Sequence, residues 1–367
     1  MKLPVRPEFA GQRPYGAPQL NVPVALNVNE NPFPPHPRLI AAITAACERA
    51  SRQLNRYPDR EARRLRSALS DYLAADTGVT LHRGEIWAAN GSNEIMSQIL
   101  TAFAGPGRTV MSFTPSYSMY REYTRNVYST WCEVPRRADY TLDLAAIEER
   151  MVEARPAVIL ISSPNNPTGT ALQREELDAI LTLAAQHGPE PESPAMVVVD
   201  EAYGEFRRDG VSSAVELISS CSHLIVTRTM SKAFGAAGLR LGYMAARPEV
   251  IDVIRVVRLP YHLSALTQAA ACAVLEHRDP LMEQIAVLRR ERDRLTGRMR
   301  SLGLNVPQSD ANFVLFGSFA DRHDVWQQLL ERGVLIREVG PTGYLRASIG
   351  TPQENDVFLQ ALEEVIG

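Results

Sequence analysis

The chain predicts an α/β fold: a large domain with a mostly parallel sheet sandwiched by helices, followed by a small α+β domain. Two observations carry this. Four short apolar runs, Val110 to Phe113, Val158 to Ile161, Met196 to Val199 and Leu224 to Thr227, are separated by helical patterns, as buried parallel strands joined by crossovers require. Later in the chain, strand-like 312–316 and 334–337 flank a helical 324–332 and lead to a last strand at 345–350, which reads as a separate, smaller unit. The expected division is an N-terminal arm over residues 1–37, a large domain over 38–258, and a small domain over 259–367 that packs with the arm.

At 367 residues, 45% hydrophobic and 22% charged, the chain can bury one large core and one smaller one. A net charge of −3 supplies no basic footprint for nucleic acid and no polybasic patch for a membrane, so a small-molecule substrate is expected. The start, Met-Lys-Leu-Pro-Val-Arg-Pro, lacks a signal-peptide core, and no later run approaches a transmembrane span; a cytoplasmic location follows as the expectation. The four cysteines, Cys47, Cys132, Cys221 and Cys272, form no Cys-x-x-Cys pair, and the seven histidines show no ligand spacing, so no metal is expected.

Residues 1–37 are rich in proline and asparagine, culminating in Asn29 to Pro35, and cannot form a regular helix. Val22, Val24, Leu26 and Val28 alternate, which predicts a short paired strand in an ordered arm. A helical run from Pro37 places Leu39, Ile40, Ile43, Ala46 and Cys47 on one face, and Asn55 to Asp59 then break it in a loop carrying Tyr57. Between Ala88 and Ser97 a small-residue turn opens a helix with Ile95, Ile99, Leu100 and Phe103 on one face. Free amides at Gly91, Ser92 and Asn93, with the positive end of the helix dipole, would suit an anion there, although Asn or Ser is also an ordinary helix cap. Further on, Leu281, Ile285, Leu288, Leu295, Met299 and Leu302 share one helix face, and the run Arg289 to Arg294 reads as its solvated side.

In an open α/β sheet, ligands collect at the carboxyl ends of the strands, so the residues after each apolar run matter most. The first run is followed by Pro115, Ser116 and Tyr117, the second by Pro164 to Gly169 with Asn166, the third by Asp200, Glu201, Ala202 and Tyr203. The fourth leads into Thr229 to Gly242, where Lys232 follows the hydroxyls of Thr229 and Ser231, precedes small residues from Ala233 to Gly238, and shares the stretch with Arg240. An isolated Ser-Lys pair is ordinarily a surface lysine beside a turn. This one offers an amine, two hydroxyls and a guanidinium around a space without bulk, which suits a phosphorylated aldehyde: the amine condenses with the aldehyde while the others take the phosphate. The cofactor implied is pyridoxal 5′-phosphate.

The succession Asn-Asn-Pro-Thr-Gly at 165–169, Asp-Glu-Ala-Tyr at 200–203, and Ser231-Lys232 with Arg240 resembles the fold-type I pyridoxal-phosphate aminotransferases. Arg-Thr-Met-Ser-Lys-Ala-Phe-Gly followed by Gly-Leu-Arg-Leu-Gly-Tyr is similar to the histidinol-phosphate aminotransferase branch, and the likeness runs from about Leu26 to Leu359. The resemblance implies that Lys232 carries the cofactor and acts as general base, that Asp200 pairs with the ring nitrogen, and that Tyr203 and Asn166 bond the phenolic oxygen. Tyr117 would stack on the ring, while Gly91, Ser92, Asn93, Thr229, Ser231 and Arg240 hold the phosphate. Tyr57 would reach the cofactor phosphate of a neighbouring subunit, which implies a homodimer. For the substrate, the resemblance assigns Arg346 to the carboxylate, Arg337 to the phosphate, Tyr261 to an aromatic segment, and the arm around Asn29 and Glu30 to a cover. Two positions depart from the family: Asn93 stands where many members have aspartate, and Phe33 where relatives often have tyrosine.

The implied reaction is transamination of histidinol phosphate with 2-oxoglutarate, a step of histidine biosynthesis. An aromatic amino acid aminotransferase or a threonine-phosphate decarboxylase would share the fold. Asp-Glu-Ala-Tyr, the Leu-Asn-Val-Asn-Glu-Asn-Pro arm and Val-Leu-Ile-Arg favour the first reading. A cofactor-sensing regulator would call for a basic DNA-binding module, which the sequence does not show.

Overall fold

The computed structural model describes residues 3–367. Strands are numbered in chain order: β1 (Val24–Ala25), β2 (Ile86–Ala89), β3 (Thr109–Thr114), β4 (Thr130–Pro135), β5 (Val158–Ser162), β6 (Met196–Asp200), β7 (Leu224–Thr229), β8 (Gly242–Ala246), β9 (Phe313–Gly317), β10 (Val334–Leu335) and β11 (Tyr344–Ser348).

The four apolar runs become β3, β5, β6 and β7, the centre of a seven-stranded sheet of order β2-β8-β7-β6-β5-β3-β4 in which only β8 runs against the rest. These strands are apolar throughout because both faces are covered. Val110, Val158, Leu160 and Val198 point to a layer with the helices Gly91–Phe103, Met119–Asn126 and Pro248–Val257. Met111, Ile159, Val197 and Val226 point to the opposite layer, with Arg63–Thr77, Leu144–Ala154 and Arg174–Gln186. Period-two alternation therefore divides the strand residues between two cores rather than between core and solvent.

β2, β4 and β8 escape the sequence reading. β8 is Gly-Tyr-Met-Ala-Ala, without a β-branched residue, and β4 lies at the sheet edge with alternate residues exposed. The helix Pro37–Ser51 forms where the periodicity places it and buries Leu39 and Ala46, but Ile40 is 51% exposed. The helix Asp279–Ser301 buries the expected apolar face, with one correction to the arginine run: Arg292 is 1% exposed. It lies at helical spacing from Leu288 and Leu295, so it must face the core, where it donates to the carbonyls of Phe206 and Ala311.

The arm is ordered. β1 pairs in parallel with β10, Leu26 donates its N–H to Leu335 O, and Ser348 donates to Leu26 O, so the arm lies between β10 and β11. β9 and β11 pair antiparallel, and the helices Arg322–Glu331 and Pro352–Ile366 complete this unit, the latter opened by a Thr351–Glu354 capping box. The helix Ala265–Glu276 packs against Pro37–Ser51 and Arg63–Thr77. Among the described residues, no helix is long and apolar enough to cross a membrane, and no cluster of potential metal ligands occurs.

Candidate active site

The carboxyl edge of β5, β6 and β7 opens into a cavity of about 550 Å³. Sheet register fixes its floor. Asp200 ends β6 opposite Ser162 of β5 and Thr227 of β7, and is 5% exposed. The Tyr120 hydroxyl donates to its Oδ2 at 3.0 Å and Thr227 Oγ1 donates to its Oδ1 at 3.1 Å. Burial pushes the Asp200 carboxyl up to about 6, against the pull of these donors. Among the described residues Asp200 has no ion-pair partner, so a buried carboxylate faces the cavity without a cation.

Lys232 lies in the loop between β7 and β8, and its Nζ donates to Val28 O at 2.9 Å. Burial, aided by the Arg346 guanidinium, lowers it to about 8, so a useful fraction of neutral amine exists near neutral pH.

One end of the cavity is a two-part cup. The helix Gly91–Phe103 begins after Asn90, whose side chain makes no cap bond, so its first turn stays open toward the cavity lined by Ser92 and Asn93. Tyr123 donates to Asn93 Oδ1 at 2.8 Å, which leaves the Asn93 amide nitrogen free to turn inward. The other half comes from the lysine loop: Thr229 donates to Ser231 Oγ at 3.0 Å, and Arg240 Nη1 donates to it at 3.3 Å. A Cβ on Gly91, at φ +78°, would stand 2.9 Å from Arg240 Nη2, and one on Gly242 would stand 2.2 Å from the Ser92 nitrogen. Only glycine lets the two halves close to this distance. Helix amides, hydroxyls and a guanidinium converging on one point suit a phosphate.

At the other end, the Tyr203 hydroxyl oxygen accepts from Asn29 Nδ2 at 3.0 Å and from Asn166 Nδ2 at 3.4 Å, leaving its own hydrogen to point elsewhere. Asn166 thereby bridges Tyr203 to Arg346, whose Nη1 donates to Asn166 Oδ1 at 2.6 Å while Nη2 donates to Asn27 O at 3.0 Å. Arg346 is buried, and among the described residues its Nε has no partner and no carboxylate neutralises it. Arg337 pairs with Arg346 across a β-bridge and donates to Gly16 O at 3.2 Å. Both arginines line the cavity, each held by neutral oxygens.

Glu30, Tyr57 and Tyr261 do not line this cavity, while the other candidate site residues line it or, like Gly91, press against its wall. Glu30 is exposed beside Pro32 to Pro35. Tyr57 is 79% exposed and stacks on Tyr261 with ring centres 4.3 Å apart. Sequence reasoning missed Tyr120, the arm residues Tyr15 to Ala17 that line the cavity mouth, and the carbonyls of Asn27 and Val28. A signal for Tyr120 existed: it stands three residues after Tyr117, in the turn that opens the helix, and the rings meet edge-on at 5.6 Å.

A lysine and an aspartate lining one cavity at the carboxyl edge of this sheet, between a phosphate cup and two arginines that carry no carboxylate among the described residues, define an aminotransferase site. Residues 22–362 match the family described as aminotransferase class I and II. The chain is 53% identical to histidinol-phosphate aminotransferase 3 of Burkholderia lata over 99% of its length and 96% of that protein. It is 52% identical to the histidinol-phosphate aminotransferase of Thermobifida fusca over 100% and 96%. In fold it is similar to the crystal structure of histidinol-phosphate aminotransferase from Sinorhizobium meliloti in complex with pyridoxal-5′-phosphate, with a TM-score of 0.84 at 24% identity, covering 100% of this chain and 98% of that one. The chain belongs to the class I and II aminotransferases, in the histidinol-phosphate aminotransferase family.

Proposed function

We propose that the protein uses pyridoxal 5′-phosphate to transfer the amino group of histidinol phosphate to 2-oxoglutarate, giving imidazole acetol phosphate and glutamate, as a soluble cytoplasmic enzyme of histidine biosynthesis. The observation that carries the substrate choice is the pair Arg337 and Arg346, opposite each other in a β-bridge, two cations with no carboxylate on either among the described residues. The partner substrates bring two anionic groups of different shape, a phosphate on one and carboxylates on the other. Arg346 suits the α-carboxylate because its fork is buried and fixed; Arg337, whose side chain among the described residues donates to the Gly16 carbonyl alone, suits the phosphate.

The cofactor, when bound, supplies an electron sink for the carbanion formed at the substrate carbon. The chain's residues do the rest. Asp200 holds the ring-nitrogen proton, and that cation in turn compensates its burial. Tyr203 directs its hydrogen to the phenolic oxygen, and Tyr117 covers one ring face. Lys232 Nζ, neutral once its proton is lost, would take the substrate α-proton and pass it to the cofactor carbon bonded to the migrating nitrogen, a short transfer by one enclosed amine.

We further propose a homodimer in which Tyr57 serves the partner's cofactor phosphate. Its exposure, together with that of Leu54, Val256 and Leu259 at 55%, 82% and 71%, supports this reading. The arm over 1–37, the large domain over 38–258 and the small domain over 259–367 are proposed as the units of the subunit. The test is turnover of histidinol phosphate, phenylalanine and threonine phosphate side by side. Histidinol phosphate is expected to lead; faster phenylalanine turnover at equal concentration would replace the reading with an aromatic aminotransferase.

A further inference from the structure

Asp200 is held by more than its place at the end of β6. A carboxylate with one anchor can rotate; this one has a donor on each oxygen, Tyr120 on Oδ2 and Thr227 on Oδ1, so its plane is fixed. The two donors come from different layers. Thr227 is its cross-strand neighbour in β7, and Tyr120 rises from the helix Met119–Asn126, fully buried with its ring against Tyr117. The groups facing Asp200 are otherwise unhelpful to its charge: Tyr117, Tyr123 and Tyr203 are neutral, and Glu201, the nearest anion, is committed to Arg228 at 2.8 Å.

We propose that Tyr120 is a positioning residue that, with Thr227, keeps Asp200 ionised and aimed at the cofactor ring. This rests on the assignment of Asp200 to the ring nitrogen. A buried carboxylate without a cation must draw its stabilisation from dipoles, and a hydroxyl bonded to a charged group is among the stronger neutral donors available. Burial and the neighbouring Asp200 also raise the Tyr120 hydroxyl well above its ordinary range, so it stays a donor wherever the enzyme works. Without it, a second proton enters the Asp200–ring pair more easily, and the shared proton moves toward the carboxyl, leaving the ring a weaker electron sink.

The test is Tyr120→Phe, read by the pH dependence of two quantities: the affinity of the apoprotein for pyridoxal 5′-phosphate by equilibrium dialysis, and the absorption of the bound cofactor. The acid limb of both is expected to move up by about one pH unit or more, a tenfold loss of affinity per unit on that limb. Thr227→Val, which keeps the side-chain shape, is expected to shift the limb in the same direction and stands in if Tyr120→Phe does not fold. Tyr72→Phe removes an equally buried hydroxyl that serves Glu205 instead, and is expected to leave the limb in place. Profiles of Tyr120→Phe and Thr227→Val that superpose on the wild type, or an equal shift in Tyr72→Phe, overturn the proposal. An Asp200→Asn variant with wild-type profiles would instead overturn the ring-nitrogen assignment on which it rests.

Discussion

Asp200 should weaken the apoprotein that carries it. Its carboxyl moves from an ordinary 3.8 to about 6 on folding, because burial without a cation disfavours the charged form. The sign follows from linkage. A folded-state value above the unfolded one means that the contribution is intact below the unfolded value and is lost as pH rises through the folded one. A rise of about two units corresponds to roughly 3 kcal/mol by about pH 8. Asp200→Asn keeps the shape and an acceptor for Tyr120 or Thr227 but cannot ionise. The assay is urea unfolding of the two apoproteins followed by circular dichroism at about pH 4 and about pH 8, taken as a difference of differences so that every other titrating group cancels. Because the unfolded carboxyl is already about half ionised at about pH 4, the asparagine variant is expected to gain roughly 2.5 kcal/mol on the wild type between those pH values, while its turnover collapses. A wild-type-minus-variant difference that stays flat with pH would refute the claim that this carboxylate is ionised at a cost; near-normal turnover would refute its role.

Three other outcomes follow from the same geometry. In the apoprotein, labelling of Lys232 by an amine-selective reagent should reach half its limiting rate near pH 8 rather than near 10.5, and Lys232→Ala should abolish both cofactor attachment and turnover; a labelling midpoint above about 10 would contradict the enclosed amine. Gly242→Ala drives a Cβ onto the Ser92 backbone and should lower cofactor affinity at least about tenfold by dialysis with the fold intact, whereas unchanged affinity would mean the cup has slack. Arg346→Lys cannot reach Asn166 and Asn27 together with a carboxylate, so KM for 2-oxoglutarate should rise about ten- to hundredfold; an unaltered KM would move the carboxylate elsewhere.

The parts of this site that could be read from the sequence are those written along the chain. The apolar runs announced β3, β5, β6 and β7, and the residues just past them, Asn166, Asp200, Tyr203 and Lys232, meet at one edge because parallel strands deliver their ends to the same side. What stayed hidden depends on packing between layers. That Tyr120 reaches Asp200 is decided by how the helix Met119–Asn126 lies on the sheet. That Arg292 is buried required knowing that two carbonyls wait for it in the core. That Asn166 is shared between Tyr203 and Arg346 follows from how β11 lies against the loop after β5. β8 had no local signature because it carries no β-branched residue, and its Gly242 is small to admit the Gly91–Ser92 backbone, a demand of the site rather than of the strand.

The reversal of β8 sets an order of assembly. Thr229 and Gly242 stand directly opposite each other, so the lysine loop is the tip of a local hairpin whose closure entropy is small. The facing half of the cup arrives with β2, the edge strand, from far earlier in the chain, and is in place only when β2 has zipped onto β8. The hairpin with its lysine can therefore form before anything is able to hold a phosphate. Cofactor capture reports the completion of the sheet rather than its nucleation, and a phosphate bound across that seam fastens the outermost strand to its neighbour.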